Sequence, residues 1–385
     1  MSRIAIIGAG AMGSGIGQVA AMAGHEVFLY DAYPDAHVRA RDSILKSLNK
    51  FAEKGKITDQ QAKAIFGKIY LSEDLNSIAG SDIVIEAIIE NQEAKEKLFA
   101  SVEPLVNEQT IIASNTSSLS ITGLAKSLKH PERFIGIHFF NPPVMMRLVE
   151  VIPALQTTSD ITGRVIDEIK AWGKTPVRAL DTPGFIVNRI ARPFYGEALR
   201  IAEEQLATPA EIDAAMKTFG GFRMGPFQLM DFIGNDINEA VTRSVWTAMH
   251  YDARYRPSQL QINLVRAGWY GRKSGKGYFD YTHITDPLDP ALTDEHKRLF
   301  DRILVMLINE AADALHFGIA SKEDIELAMT QGVNYPKGLL QWADEVGIQN
   351  CVEQLDALQQ LYREERYRCS VLLRRMATNH ETFFG

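Results

Sequence analysis

The sequence is poor in the features that mark disulfide-rich, metal-binding or membrane-spanning proteins. Only two of its 385 residues are cysteines, Cys351 and Cys369. Two cysteines are too few for a disulfide framework, and their separation fits no metal-ligand spacing. No apolar run reaches the roughly 18 residues that a membrane-spanning helix needs. We therefore expect reduced thiols, no metal site and no transmembrane segment.

An excess of positive charge is also missing. The chain has 41 basic and 48 acidic residues, which gives a formal net charge of −7. This balance argues against general binding to nucleic acids or anionic membranes. The first residues enter an apolar segment at once, without the basic start of a signal peptide. The sequence thus predicts a cytoplasmic protein with no nucleic-acid or membrane partner.

What is present is enough chain for two or three domains. Short apolar runs alternate with helical patterns over residues 1–183, which predicts an α/β domain with a Rossmann-type doubly wound parallel sheet. Residues 34–53 and 58–67 are predicted to form a helical hairpin inserted after the second strand. The predicted strands are 4–7, 26–30, 83–89, 110–113, 134–140 and 148–152.

The remainder of the chain has helical periodicity and an internal repeat. Residues 189–234 align with 302–347 at a constant offset of 113, and 12 of the 46 positions are identical. About three identities would be expected by chance, so the repeat indicates a duplication. We predict two tandem all-α domains, 184–281 and 294–385, joined by a linker with two Asp-Pro pairs.

The first motif is a glycine-rich turn between the first strand and the first helix. Gly8 allows a tight turn, Gly10 lets the backbone approach a pyrophosphate, and Gly13 allows close packing of helix and sheet. Asp31 follows at the tip of the second strand, where it can accept hydrogen bonds from a ribose diol and repel a 2′-phosphate. The pattern predicts a dinucleotide site that prefers NAD to NADP.

Two further polar groups follow predicted strands. Residues 114–118 read Ser-Asn-Thr-Ser-Ser, which suits either helix capping or a ligand site. His138 ends another strand, and Glu150 lies on the next one. Oxidation of an alcohol needs a base for the hydroxyl proton, and a buried acid can orient and stabilise an imidazole. The pair therefore suggests catalysis rather than structure.

Together these motifs resemble the L-3-hydroxyacyl-CoA dehydrogenase family, and within it the 3-hydroxybutyryl-CoA dehydrogenase branch. The resemblance implies reversible, NAD-dependent oxidation of an L-3-hydroxyacyl-CoA to the 3-ketoacyl-CoA. It covers residues 1–281 and rests on segments 8–13, 113–119, 138–142, 148–151, 181–189, 224–227 and 275–279.

The resemblance also assigns roles to single residues. It implies that His138 is the general base, that Glu150 is its partner, and that Ser117 and Asn188 lie near the 3-oxygen of the substrate. The residues that it places beside NAD are Gly8, Gly10, Ala11, Met12, Gly13, Asp31, Glu90, Lys95, Ser117, Asn141 and Lys273. It places Ser47 and Lys54 of the helical hairpin beside CoA.

One departure from the family pattern affects the predicted substrate. The family usually has Asn-Pro-x-Pro after the histidine, whereas Pro142 and Pro143 are adjacent here. We expect a loop of different shape and a different acyl-chain preference. The alternatives are a related dehydrogenase of a free hydroxy acid, such as L-carnitine or L-gulonate, and a non-catalytic NAD-binding protein.

The duplication leads to a prediction about assembly. In relatives with one helical domain, the resemblance implies dimerisation through that domain. A second tethered copy could make the same contact within one chain, which predicts an intrachain pseudo-dimer with one active site. Asp301 stands in the second copy where the first has Asn188. Self-association through other surfaces stays open.

Overall fold

The structure of the protein is a computed structural model that describes residues 2–282 and 290–385. The chain divides into two compact units, Met1–Phe185 and Ile186–Gly385. The predicted linker, with its pairs Asp286-Pro287 and Asp289-Pro290, lies mainly outside the described residues.

The first unit is built on one eight-stranded sheet. Its strand order is β3-β2-β1-β4-β5-β6-β7-β8, so the direction of winding reverses between β1 and β4. Ligands of such sheets bind at the carboxyl ends of the strands near this reversal. The strands are β1 Arg3–Ile7, β2 Glu26–Tyr30, β3 Ile69–Ser72, β4 Ile83–Glu86, β5 Ile111–Ser114, β6 Phe134–Phe139, β7 Leu148–Pro153 and β8 Thr175–Arg178.

Helices cover this sheet, and the central strands are accordingly apolar along their whole length. Ile4, Ile6 and Val84 are fully buried, as expected for parallel strands that have helices on both faces. The doubly wound sheet and the inserted helical hairpin are confirmed, with α2 and α3 forming the hairpin. The helices are α1 Ala11–Met22, α2 Pro34–Glu53, α3 Asp59–Phe66, α4 Gln92–Val102, α5 Ile121–Ala125 and α6 Ser159–Ala171.

The sheet differs from the prediction in three respects. The prediction of an all-parallel sheet is wrong for β7, which is antiparallel to β6. The chain between these two strands, residues 140–147, is too short for the helical crossover that a parallel connection requires. The short strands β3 and β8 were not predicted, because both have partly exposed residues that give no continuous apolar run. The strand predicted over 83–89 ends at Glu86.

The described residues of the second unit form helices and no β-strand, apart from isolated β-bridges that join Lys276 to Gly271 and to Asp280. None of the helices that the structure describes is long and apolar enough to cross a membrane. The helices are α7 Val187–Ile190, α8 Arg192–Glu203, α9 Pro209–Gly220, α10 Pro226–Ile233, α11 Asn235–Ala248, α12 Gln259–Arg266, α13 Asp294–His316, α14 Lys322–Leu327, α15 Leu339–Val346, α16 Ile348–Tyr362 and α17 Val371–Asn379.

The two repeats use the same side-chain-to-backbone clamp. Asp213 of α9 accepts hydrogen bonds from the amides of Phe227 and Gln228, at 2.9 and 2.8 Å. Exactly 113 residues later, Glu326 accepts from the amides of Leu340 and Gln341, at 2.9 and 3.2 Å. In each repeat the carboxylate therefore satisfies the first amides of a following helix, α10 or α15.

Reciprocal ion pairs join the two repeats within the second unit. Arg189 Nε donates to Glu310 Oε1 at 2.7 Å, and Arg302 Nε donates to Glu197 Oε1 at 2.6 Å. The two arginines are equivalent positions of the repeat, and so are the two glutamates. Each repeat therefore contributes one arginine and one glutamate, from equivalent positions, to the contact with the other repeat. All four side chains are at most 7% exposed.

Candidate active site

The glycine-rich turn lies at the carboxyl end of β1 and is packed too closely for larger residues. Gly8 has φ of +105°, and a Cβ there would lie 2.6 Å from the carbonyl oxygen of Ala87. A Cβ on Gly13 would lie 1.7 Å from the carbonyl oxygen of Gly8. Helix α1 then begins at Ala11 without a side-chain cap. Its first amides, including that of Met12, suit an anion such as a pyrophosphate.

The space beside this turn fits a dinucleotide. A Cβ on Gly10 would meet no atom within 4 Å, so the backbone there is open to a ligand. Asp31 Oδ2 accepts from the amide of Ala9 at 2.7 Å, and Oδ1 accepts from the amide of Tyr33 at 3.0 Å. These bonds fix the carboxylate next to the glycine turn. Each carboxylate oxygen keeps acceptor capacity for the hydroxyls of a ribose.

Glu90 gathers the polar residues that follow β5. Its Oε1 accepts from the hydroxyl of Thr116 at 2.6 Å, the amide of Ser117 at 2.9 Å and the amide of Ser118 at 3.1 Å. Lys95 Nζ lies 3.3 Å from Glu90 Oε2. Burial alone would raise the pKa of Glu90, but Lys95 and these donors lower it below its usual value. The site is thus built around a fixed negative charge.

The sequence reasoning missed the residue that anchors this network, Glu86 at the end of β4. Glu86 is fully buried, and its Oε1 lies 2.5 Å from Lys95 Nζ. Its Oε2 accepts from the hydroxyl of Ser114 at 2.6 Å. The signal that could have identified Glu86 is its position, because it is a charged residue directly after three apolar residues of the strand Ile83–Glu86. Helix α5 is capped by Ser120, so residues 114–118 do not cap it.

His138 and Glu150 face each other across β6 and β7. They are paired in the antiparallel register, and His138 Nδ1 lies 2.7 Å from Glu150 Oε2. Their side chains are only 7% and 1% exposed. Because a carboxylate only accepts, Nδ1 donates to it and the neutral ring presents the lone pair of Nε2. The rings of Phe140 and Phe185 lie 4.5 and 6.0 Å from the imidazole.

The loop that departs from the family pattern is held by a lysine that the sequence analysis did not select. Asn141 is exposed at its start, next to the buried Pro143. Lys174 Nζ donates to the carbonyl oxygens of Pro143 and Met146, at 2.5 and 2.8 Å. Burial lowers the pKa of Lys174 to about 8, and Arg147 adds to the effect.

Four of the predicted site residues lie outside this cluster. Ser47 and Lys54 are seven residues apart at the end of α2, so two helical turns bring them to one side of the helix. In the second unit, Asn188 is half-buried on α7. Lys273 Nζ lies 2.6 Å from Asp236 Oδ1 in the same unit.

The comparison with protein families assigns both units. The NAD-binding domain of 3-hydroxyacyl-CoA dehydrogenase matches residues 3–182, and the C-terminal domain of the same family matches 184–281 and again 299–382. The chain belongs to the 3-hydroxyacyl-CoA dehydrogenase family. The earlier identification of the family from its motifs is confirmed, and NAD is the cofactor of its nucleotide-binding domain.

Relatives in this dehydrogenase family include one that matches nearly the whole of this chain. The 3-hydroxyadipyl-CoA dehydrogenase of Escherichia coli K12 is 38% identical over 98% of both chains. A probable 3-hydroxybutyryl-CoA dehydrogenase of Deinococcus radiodurans is 44% identical and matches 72% of this chain and all of its own. The crystal structure of an E. coli K12 3-hydroxybutyryl-CoA dehydrogenase superposes with a TM-score of 0.93, at 36% identity over 98% of both chains.

Within residues 2–282 and 290–385, no three His, Cys, Asp or Glu side chains are grouped so as to hold a metal ion. Gly10 and Asp31 follow the carboxyl ends of β1 and β2, and Glu90 follows β4 and pairs with Lys95. Ligands of doubly wound sheets bind at this edge of the sheet.

Proposed function

We propose that the chain oxidises L-3-hydroxyacyl-CoA esters to 3-ketoacyl-CoA esters with NAD, and that His138 is the general base. The observation that carries the assignment of the base is its 2.7 Å contact with the buried Glu150. NAD, when bound, supplies the hydride acceptor of the reaction. The protein orients the two reactants and provides a base for the proton of the substrate's hydroxyl group.

The proton of the 3-hydroxyl goes to His138 Nε2, which is the ring nitrogen left after Nδ1 has bonded to Glu150. The imidazole then carries a positive charge, and the carboxylate of Glu150 stabilises it. Ser117 and Asn188 hold the 3-oxygen in line with this nitrogen. The fixed position of Ser117, whose amide is bonded to Glu90 at 2.9 Å, supports its part in this arrangement.

The other ligand contacts follow the same proposal. NAD is held by the glycine turn from Gly8 to Gly13, by Asp31 and by Glu90 and Lys95, with Asn141 and Lys273 also contributing. Ser47 and Lys54 bind the CoA moiety. By their names, the relatives described above act on a four-carbon or on a six-carbon dicarboxylic acyl group, and both groups are candidates here.

A coupled absorbance assay tests this function. NADH should be consumed with acetoacetyl-CoA and with longer 3-ketoacyl-CoA esters, and far more slowly with NADPH. L-carnitine and L-gulonate are alcohols, so they are supplied with NAD while NADH formation is followed, and they serve as the controls for a dehydrogenase of free hydroxy acids. Activity with either free acid that equals activity with the CoA esters would refute the proposal, as would activity with none of the compounds.

We also propose that residues 294–385 form an intrachain pseudo-dimer with residues 184–281. Two pairs support it, Arg189 with Glu310 and Arg302 with Glu197, because a two-fold contact exchanges equivalent groups in this way. Helix α13 of the second repeat packs against α8 and α9 of the first, and its apolar residues Ile303 and Leu307 are fully buried. In this arrangement the chain has one active site, and the second repeat acts as a scaffold.

Truncation after Tyr281 tests the pseudo-dimer. Loss of the second repeat would uncover Arg189 and Glu197 together with the apolar side of α8. Sedimentation velocity should then show aggregation or a new dimer, with the full-length chain as the control. A monomeric and fully active truncated protein would contradict the proposal.

A cytoplasmic location is part of the same proposal. Cys351 and Cys369 are both buried free thiols, and burial raises the pKa of each thiol to about 12. Thiols kept in this form are typical of proteins from reducing compartments. Measurement of the thiol content of protein isolated under alkylating conditions would test it, since a disulfide between them would argue for an oxidising compartment.

A further inference from the structure

One buried arginine of the second unit lacks the carboxylate that its neighbours have. Arg192, the first residue of α8, is 7% exposed, and its Nη1 donates to the hydroxyl of Thr242 at 3.1 Å. Its Nε has no hydrogen-bond partner. By contrast, Arg189 and Arg302 are buried with glutamates. No carboxylate within residues 2–282 and 290–385 forms an ion pair with Arg192, whose pKa is lowered by burial.

A second unpartnered polar group lies in the same surroundings. Tyr335 is 5% exposed, and its hydroxyl makes no hydrogen bond. The ring packs against Phe194 and Phe222, with centroids 5.7 and 5.0 Å apart. Burial raises the pKa of Tyr335 well above its usual value, and the charge of Arg192 opposes that rise. The two groups belong to the same region of the unit, because Phe194, against which Tyr335 packs, follows Arg192 by two residues in α8. Neither group has an anionic partner among the residues that the structure describes.

The internal repeat shows that the fold itself does not need these two polar groups. At the offset of 113 residues, the position of Arg192 is occupied by Val305 in the second repeat. The position of Tyr335 is occupied by Phe222 in the first repeat. Val305 and Phe222 are buried as well, at 2% and 6% exposure. An apolar side chain thus fills each equivalent position, so the packing of the helices alone does not account for the charge and the hydroxyl. Within the protein, the guanidinium of Arg192 lies 4.9 Å from the centre of the Tyr195 ring.

The position along the helix indicates which part of a ligand would be near. Asn188 lies in α7 and Arg192 begins α8, and Ala191 between the two helices keeps its backbone in the α region, with φ of −77° and ψ of −10°. In a continuous helix the Cβ atoms of residues four apart are about 5–6 Å apart, so the two side chains start from neighbouring positions. This step rests on the proposed function, in which Asn188 holds the 3-oxygen of the substrate.

An acyl group with a second carboxylate is long enough to reach from the neighbourhood of one of these side chains to that of the other. In an extended six-carbon dicarboxylic chain, three bonds of about 1.5 Å separate C3 from the terminal carboxyl carbon, a distance of about 4 Å. A carboxylate there would accept hydrogen bonds from a guanidinium and a phenol, which can both donate. A methyl group at the same place would leave both donors without a partner.

We propose that Arg192 and Tyr335 bind the terminal carboxylate of a dicarboxylic 3-hydroxyacyl-CoA, with a six-carbon chain as the best fit. The second repeat then contributes a residue that selects the substrate, besides its role as a scaffold. The carboxylate provides the negative charge that Arg192 lacks in the protein. A buried cation without its partner disfavours monocarboxylic acyl groups of equal length.

The decisive measurement compares two CoA esters that differ only at the end of the chain. The kcat/KM for 3-oxoadipyl-CoA should exceed that for 3-oxohexanoyl-CoA by about 100-fold, because the latter carries a methyl group in place of the carboxylate. Arg192→Val, which copies the second repeat, should reduce this ratio to about one. Tyr335→Phe, which copies the first repeat, should reduce it by about 10-fold.

Arg298→Val is the matched control, because it removes an exposed arginine of α13 by the same substitution. It should leave the ratio as it is in the unchanged protein. The inference is overturned if the unchanged protein does not prefer 3-oxoadipyl-CoA, or if Arg192→Val lowers kcat/KM for both esters equally. If Arg192→Val fails to fold, the ratios of the unchanged protein and of Tyr335→Phe decide.

Acetoacetyl-CoA separates this inference from the proposed function. Reduction of acetoacetyl-CoA without a preference for 3-oxoadipyl-CoA would refute only the carboxylate site. Failure to reduce any of the three esters with NADH would refute the proposed function itself, and the carboxylate site with it.

Discussion

Two clusters of buried charged groups in this protein differ in whether they keep a hydrogen-bonding position for a ligand. Between the repeats, the carboxylate of Glu310 accepts from Arg189, Arg254 and Tyr255, at 2.7, 2.7 and 2.5 Å. In the first unit, His138 uses Nδ1 for Glu150, while Nε2 makes no hydrogen bond to any residue that the structure describes. In the first cluster, protein donors occupy the carboxylate oxygens. In the second, one ring nitrogen can still bond to a reactant.

The comparison shows that burial and pairing of charge do not by themselves identify an active site. The cluster around Glu310 is as buried as the histidine pair, yet protein donors occupy its carboxylate. The useful criterion is a buried polar group with an unused bonding position. His138 meets this criterion in the first unit, and Arg192 meets it in the second.

The largest expected effect is on turnover when His138 is changed. His138→Gln should lower kcat by about 10² to 10⁴, the usual contribution of a positioned general base. Its thermal stability should change much less than its activity, since the exchanged group can still bond to Glu150. Steady-state kinetics and thermal unfolding measure the two effects. Near-normal turnover would remove His138 from the mechanism.

The cluster around Glu310 should respond in the opposite way. Glu310→Gln leaves the buried Arg189 without its anion and leaves Arg254 with Asp313 alone, so the free energy of unfolding should fall by about 3–5 kcal/mol. The kcat of the folded fraction should stay close to that of the unchanged protein. Glu353→Gln, at an exposed position of α16, is the control for the same substitution. A loss of kcat with unchanged stability would show that Glu310 acts in catalysis rather than in holding the fold.

Acid should weaken the same cluster. Burial would raise the pKa of Glu310, but Arg254 and Arg189 lower it to about 2, from an ordinary value of 4.5. The stabilisation is therefore complete above pH 4.5 and is lost as the pH falls towards 2. The gap in unfolding free energy between the unchanged protein and Glu310→Gln should narrow by about 3 kcal/mol over this range. Urea titrations at several pH values measure it, and a constant gap would contradict the assignment.

Local patterns were sufficient to predict the parts of the site that depend on one strand or one turn. The glycines of the turn and Asp31 follow from strand ends that share one edge of a parallel sheet. His138 and Glu150 were predicted to lie on adjacent strands, but they face each other because β7 runs antiparallel to β6. Glu86 was missed because a single glutamate after an apolar strand also suits a solvent-exposed strand end. Its role depends on Lys95 and Ser114, which only the folded sheet brings to it.

The helical unit shows the same limit. The repeat revealed that Arg189 and Glu197 each recur 113 residues later, but identity alone does not show that each arginine bonds to the other repeat's glutamate. The antiparallel direction of β7 was likewise not visible in its composition. It follows from the connection from β6, because the predicted strands 134–140 and 148–152 leave only residues 141–147 between them, which is too short for the helical crossover of a parallel pair.

A smaller effect on kcat should distinguish the first repeat from the second. Asn188→Ala should lower kcat with 3-ketoacyl-CoA esters by about 10-fold, the order expected for one lost hydrogen bond to the reacting oxygen. Asp301→Ala, at the equivalent position, should leave kcat unchanged, because Asp301 pairs with Lys297 on α13. Steady-state kinetics of both variants test this. Equal losses in the two variants would show that the second repeat takes part in the chemistry.

The last expected effect concerns Asp31, whose carboxylate both bonds to protein groups and keeps acceptor capacity for a ligand. Its carboxylate is fixed by the amides of Ala9 and Tyr33, as a structural group would be, yet it keeps acceptor capacity for a ribose. Asp31→Ser should raise KM for NADH by about 10-fold and narrow the preference over NADPH, because a 2′-phosphate is no longer repelled. Asp82→Ser is the matched control.

Asp82 also accepts from a backbone amide, that of Arg3 at 2.8 Å, but it lies at the amino end of β4, away from the glycine turn. Its loss should therefore affect stability without changing the ratio of kcat/KM for NADH and NADPH. If both variants changed this ratio equally, the amide bonds of Asp31 would be its main contribution and the ribose contact would be unsupported. If only Asp31→Ser changed it, the carboxylate would be a binding group as well as a structural one.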